Sequence, residues 1–257
     1  MSGKLRSLLI VSIVAGVVLG LVYSSQAKPA GKGKDRILSK ITFIHFKKGH
    51  AKPSWAGDGK KDKNPEEDQG LYVYLAKGAK WKVAEDILVN PVCGENLDGS
   101  GDGLIIDAVI AGLNEWEDGG DSDLSIFGDV IIDENVSYNN GEYRGSNTFS
   151  FGSYSTADVI AVTSVWGYFT GPPSQREIIE AHILMNDDFE WGDASVDSLL
   201  MDIQNIATHE LGHWAGMGDL YEIGAGEETM YGYSAEGETK KRDLYYGDIT
   251  GITDLYK

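Results

Sequence analysis

His209, Glu210 and His213 stand in the order His-Glu-x-x-His, and Gly216 and Asp219 follow at three-residue steps. Histidines four positions apart on a helix project from one face, so both imidazoles can reach a single cation. Glu210 adds a carboxylate beside them that can take up and return a proton. Gly216 is the residue type that lets a chain leave a helix in a left-handed turn, and such a turn can bring Asp219 back as a third ligand. Two nitrogens and one carboxylate oxygen leave a tetrahedral ion one position for water, the arrangement of a catalytic zinc site. The expected chemistry is hydrolytic. The ion acidifies the water and polarises a carbonyl, while Glu210 moves a proton from the water to the leaving group. If the turn runs differently, Glu222 or a water takes the place of Asp219. The same donors can also hold iron, cobalt or manganese.

These residues need a helix to carry them and a sheet to back it. A helix is expected over residues 198–215, with Leu199, Ile203, Ile206 and Leu211 on its buried side. A second, over 104–116, carries Ile106, Val109, Ile110, Leu113 and Trp116 at helical spacing. Runs rich in Val, Ile and aromatics predict strands over 37–46, 81–91, 124–133, 157–170 and 178–189. A short terminal helix is expected over 248–255. Residues 98–103 begin like a calcium loop, but the twelfth position would be Val109, which cannot chelate. They read instead as a turn in which Asp102 caps the following helix.

The ends of the chain differ in character. Lys4 and Arg6 precede an apolar run from Leu8 to Tyr23, and Ser25-Gln26-Ala27 offers a small-residue cleavage site. This is the pattern of a secretory signal peptide over 1–27. An uncleaved anchor at the outer face of a membrane is the alternative. Residues 28–70 hold 11 Lys+Arg and 6 Asp+Glu, whereas 71–257 hold 9 and 34. A basic leader therefore precedes an acidic body. It is either a solvated linker or a pro-segment that docks by charge. Residues 50–70 read as a connector, and the body is expected to start near Leu71. A net charge of −18 argues against a nucleic-acid partner, and a single cysteine rules out an intrachain disulfide.

The segment from His209 to Asp219 resembles the zinc signature of the metzincin metalloproteases, and most of all that of the matrixins. Their third ligand is usually histidine. Asp219 stands at that position here, as in the small secreted snapalysins, and implies a weaker Lewis acid than three imidazoles would make. Thr229-Met230-Tyr231 resembles the turn that places a methionine beneath the metal, which gives Met230 a supporting role without ligation. Two residues after that methionine, some metzincins have a ligand tyrosine and matrixins a pocket-shaping proline. This chain has Gly232. Residues 186–191 resemble an acidic matrixin segment and imply Ca²⁺ on Asp187, Asp188 and Glu190, with a solvated acidic loop as the alternative. With only His182 nearby, no second zinc is expected. Pro91-Val92-Cys93-Gly94 resembles the family's cysteine switch, but Val92 replaces its arginine and the motif falls inside the body. Cys93 is therefore read as a core residue. His45 and His50 read as ordinary polar residues.

The resemblance implies an α+β fold of zincin type over 71–257: a twisted mixed sheet packed on two long helices, with a small C-terminal subdomain. It implies a secreted zinc endopeptidase that takes an extended polypeptide along a sheet edge, expected within 178–186. The rival readings are a metal-binding surface module without turnover and a hydrolase of other amides on the same fold.

Overall fold

The computed structural model describes residues 36–51, 71–93, 102–119 and 124–257. The signal-like segment 1–27, most of the connector and the turn over 98–101 lie outside the described residues. A seven-stranded sheet forms the frame, in the order β3-β2-β4-β6-β5-β1-β9. Its strands are β1 (Ser39–Lys47), β2 (Glu85–Val89), β3 (Phe127–Ile132), β4 (Asn147–Gly152), β5 (Val159–Tyr168), β6 (Glu177–Asn186) and β9 (Tyr233–Ser234). A two-stranded ladder pairs β7 (Trp191–Gly192) with β8 (Met201–Asp202). β3, β2, β4 and β6 run parallel, β5 runs antiparallel to β6, and β1 is antiparallel to β5 and parallel to β9.

Helices α1 (Asp102–Asp118) and α2 (Ile203–Ala215) pack together against the sheet. Trp116 Nε1 of α1 donates to Thr208 O of α2 at 2.7 Å, and Ile105, Val109, Leu113, Ile206 and Leu211 share one core with Val165, Ile183 and Met185. A second buried cluster, of Tyr138, Val159, Val162 and Leu184, takes other residues of β5 and β6, so these strands read as nearly continuous apolar runs rather than alternating ones. After α2 the chain forms the small C-terminal part, ending in α3 (Tyr246–Tyr256). Asp248, in the first turn of α3, accepts from the backbone N–H of Thr229 (2.6 Å) and Met230 (3.2 Å). The methionine turn is thereby tied to α3. No helix among the described residues is long and apolar enough to cross a membrane.

Several expectations need correction. α2 begins at Ile203 rather than at residue 198, because Asp202 caps it by accepting from Asn205 N at 2.8 Å. Leu199 therefore lies outside the helix and is 78% exposed. Strand β4 was not anticipated, since Asn147, Thr148 and Ser150 give it a polar composition, yet all three are buried. Residues 178–186 do not form an edge, because β6 sits between β4 and β5. The strand expected over 37–46 is β1, which comes from the basic leader and pairs with β5.

Candidate metal centre

α2 buries His209, Glu210 and His213 completely. Its C-cap, Gly216, has φ 108°, and its N–H returns to the carbonyls of Gly212 and His213. A Cβ there would meet Ala79 O at 2.8 Å, so both the conformation and the space call for glycine. The turn sends Asp219 back to the helix. Asp219 Oδ1 lies 3.2 Å from His209 Nε2 and 3.3 Å from His213 Nε2. All three atoms are buried and have no hydrogen-bond partner among the described residues. Three bare polar atoms aimed at one point are costly unless a cation satisfies them. Their spacing suits two edges of a tetrahedron with bonds of about 2.0–2.1 Å, whose edges are roughly 3.3 Å. The donors present therefore fit zinc.

The surrounding contacts fix each donor. His209 Nδ1 donates to Thr229 O (2.7 Å) and His213 Nδ1 to Met217 O (3.1 Å), which leaves both Nε2 atoms as bare acceptors. Asp219 Oδ2 accepts from Tyr221 Oη at 3.1 Å. The Tyr221 ring lies over Gly232, where a Cβ would stand 2.6 Å from a ring carbon. Glycine at 232 thus makes room for a tyrosine that orients Asp219, a residue the sequence reading missed. Glu222 is not among the converging donors. Met230 is fully buried, with Sδ packed against Gly212 of α2.

Burial pulls His209 down to about 4. It pulls on His213 too, but the Asp219 carboxylate beside it more than compensates and carries His213 above its usual range. Burial would raise Asp219, yet the two imidazoles hold it well below the usual carboxylate range. Burial pushes Glu210 up to about 7. Glu210 Oε1 accepts from His45 Nδ1 at 2.9 Å, and Oε2 accepts from Thr163 Oγ1 of β5 at 2.5 Å.

His45 thus belongs to the site, contrary to its reading as an ordinary polar residue. Its ring lies 4.0 Å from that of His209, and the Phe43 ring stacks on His213 at 3.8 Å with the planes 7° apart. Among the described residues a second group, His45, His209 and Glu210, also brings ligand atoms together. There, however, His45 Nδ1 and Glu210 Oε1 already satisfy each other, so the set with Asp219 is the better cation site.

The remaining candidates lie elsewhere. Asp187, Asp188 and Glu190 do not form a group of converging ligand atoms, so the calcium expectation gains no geometry. Cys93 is a buried core residue, and burial, with Asp187 and Glu190 nearby, pushes its thiol up to about 12. It is a thiol rather than a thiolate and is not poised for metal. His182 spends both nitrogens, on Thr148 Oγ1 (2.8 Å) and Glu180 Oε1 (2.7 Å). His50 stacks on Phe46.

Residues 143–257, from just before β4 to the end of α3, match the family model of matrixin. The chain is matrixin-like. The matched stretch holds α2, Asp219 and the methionine turn, and the match supports a metallopeptidase of the hydrolase class. No curated protein matches the chain.

Proposed function

We propose that this matrixin-like chain is a secreted zinc-dependent endopeptidase in which His209, His213 and Asp219 hold the ion and Glu210 is the general base. The observation that carries the reading is the meeting of three buried, unpartnered donor atoms beside a buried carboxylate. Zinc, when bound, supplies Lewis acidity that polarises a carbonyl and brings the pKa of water to about 7. Thr163 fixes Glu210 by donating to Oε2, which leaves Oε1 to take a proton from the attacking water and return it to the departing amine. Met230 supports α2 from below and is not a ligand. Glu210→Ala tests the assignment: zinc content should stay at one ion per chain while cleavage of a labelled peptide disappears. Retained hydrolysis would remove Glu210 from the mechanism. A chelator-sensitive peptide or casein assay separates this reading from a module without turnover and from a hydrolase of other amides.

Residues 1–27 are read as the signal peptide and 28–70 as a pro-segment. Three observations support the second assignment. β1 pairs along β5, where an extended substrate would lie. Phe43 and His45 cover the two histidines, and His45 holds the catalytic oxygen of Glu210. Lys47 and Lys48 of the basic leader form ion pairs with Glu236 and Glu238 of the acidic body. With β1 seated the chain is latent, and β1 must leave before a polypeptide can enter.

A further inference from the structure

β1 does more than block the cleft, because it shows how a chain lies in it. Phe43 faces Thr163 and His45 faces Ala161 on β5, and Phe46 and Lys47 then pair in parallel with Tyr233 and Ser234 of β9. Residues 43 and 45 project onto His213 and His209 respectively. A peptide laid in this direction would therefore be cut at the bond that joins the positions of Ile44 and His45, so that the His45 pocket directly follows the cut. That pocket has two walls, His209 and Glu210 of α2 and the segment 231–234, and His45 is only 1% exposed within it.

Lys241 closes the far end. Its side chain is fully buried, and its backbone N–H donates to Asn205 Oδ1 of α2 at 2.8 Å. Lys241 Nζ faces Tyr231 O, Tyr233 O (2.9 Å), Ser234 Oγ (2.9 Å) and His45 Nε2 (3.3 Å). A lysine amine carries at most three hydrogens, so four acceptors share them, and the longest of the four contacts is the one to the pocket's occupant. The imidazole of His45 spans the pocket, donating from Nδ1 to Glu210 and accepting at Nε2 from Lys241. An apolar side chain of similar length would put a methyl group against this buried polar nitrogen and forfeit the contact that His45 Nε2 makes with it.

We propose that Lys241 is a specificity-determining residue. It makes the pocket that follows the cleaved bond select polypeptides whose side chain there ends in a hydrogen-bond acceptor, His or Gln, over an apolar side chain of equal size. The inference rests on the endopeptidase reading for its use in catalysis, but the pocket itself can be tested without turnover. The same contact distinguishes occupant from substrate. His45 also donates to Glu210 Oε1, so the strand that fits the pocket holds the base inactive.

The experiment uses the full-length chain with β1 as the tethered probe. His45→Gln and His45→Leu are each made with Lys241 and with Lys241→Met. Hydrogen exchange of the β1 amides is read in the metal-free and zinc-loaded chains, and peptidase leak is read in the zinc-loaded chain. With Lys241 present, Gln should protect β1 at least about tenfold better than Leu, and the leak should be correspondingly lower. With Met at 241 the order should invert. In parallel, the Phe43→Ala chain should cleave peptides with Gln after the cut at least about tenfold faster than peptides with Leu, and this preference should vanish on adding Lys241→Met. An effect of Lys241→Met that is the same for Gln and Leu would make Lys241 only a strut of the 231–234 wall and would overturn the proposal. So would Leu protecting β1 as well as Gln in the Lys241 chain, a comparison that stands even if the Met variants fold poorly. Peptide cleavage absent from every zinc-loaded variant, with the exchange order as expected, would instead defeat the endopeptidase reading and leave the pocket's selectivity standing.

Discussion

His45 Nδ1 lies 2.9 Å from Glu210 Oε1, across 165 positions of sequence. One N–H from β1 therefore occupies the oxygen that the proposed mechanism assigns to the proton of the attacking water. Thr163 holds the other oxygen from β5, so the carboxylate is fully engaged while β1 is seated.

Loosening β1 should switch the chain on. Phe43 is 7% exposed, and its ring covers His213. Truncating a buried phenylalanine typically costs about 3–5 kcal/mol, part of which would be lost from β1 docking alone. Phe43→Ala in the full-length chain should raise cleavage of a quenched peptide by about tenfold or more. Unchanged activity would mean that β1 does not obstruct the cleft.

Tyr221 should tune the ion through Asp219. Tyr221→Phe removes only the hydroxyl that donates to Oδ2. Loss of an outer contact of this kind typically costs about 10–100-fold in metal affinity. Competition with a chromophoric chelator measures it, and an unaltered zinc affinity would refute the orienting role.

Gly232 should tolerate no side chain while Tyr221 is present. A Cβ would stand 2.6 Å from the ring, so Gly232→Ala should destabilise the fold by roughly 1–3 kcal/mol in denaturant unfolding. Adding Tyr221→Ala should recover most of that loss, because the two sites are in contact and their effects do not add. Simple additivity would place the strain elsewhere.

Zinc should stabilise the chain through the three donors. At a free concentration of 100 Kd, one-site binding to the folded state adds about 2.7 kcal/mol. The resulting rise in Tm should be reversed by chelator and should be absent in His213→Ala. A shift of equal size in that variant would show that the ion binds at another place.

Glu228 should make stability depend on pH. Burial, helped by the charge of Asp248, raises its carboxyl to about 7. A carboxyl raised in the fold contributes stability below its unfolded value of 4.5, and that contribution fades as pH climbs through 7. Gln at 228 cannot ionise. The unfolding free energy of Glu228→Gln relative to the parent, from denaturant titrations, should therefore shift in the variant's favour between pH 4.5 and 7.5, by an amount on the order of 1 kcal/mol or more. A pH-independent difference would contradict the raised carboxyl.

Much of the frame was legible because it is written in local patterns. Apolar spacing marked α1, α2 and five of the main strands to within a few residues. The failures came where a long-range contact overrides composition. Polar β4 is a strand only because β2 and β6 flank it on either side. The edge was expected within 178–186 from the family resemblance, and strand order, which no local pattern records, puts β6 between β4 and β5 instead.

At the site, the sequence by itself paired His209 with His213, since their spacing on a helix is fixed, and offered Asp219 through the glycine turn with Glu222 or a water as the alternative; the fold brought Asp219 to the two imidazoles. Only the tertiary structure decided what surrounds them: that Tyr221 fills the space at Gly232, that Thr163 grips Glu210, and that His45 and Lys241 meet in the adjoining pocket. The reason is physical. Ligand spacing is set by the 3.6-residue period of one helix, whereas those partners come from separate strands and turns, brought together by sheet order and burial that no local pattern encodes.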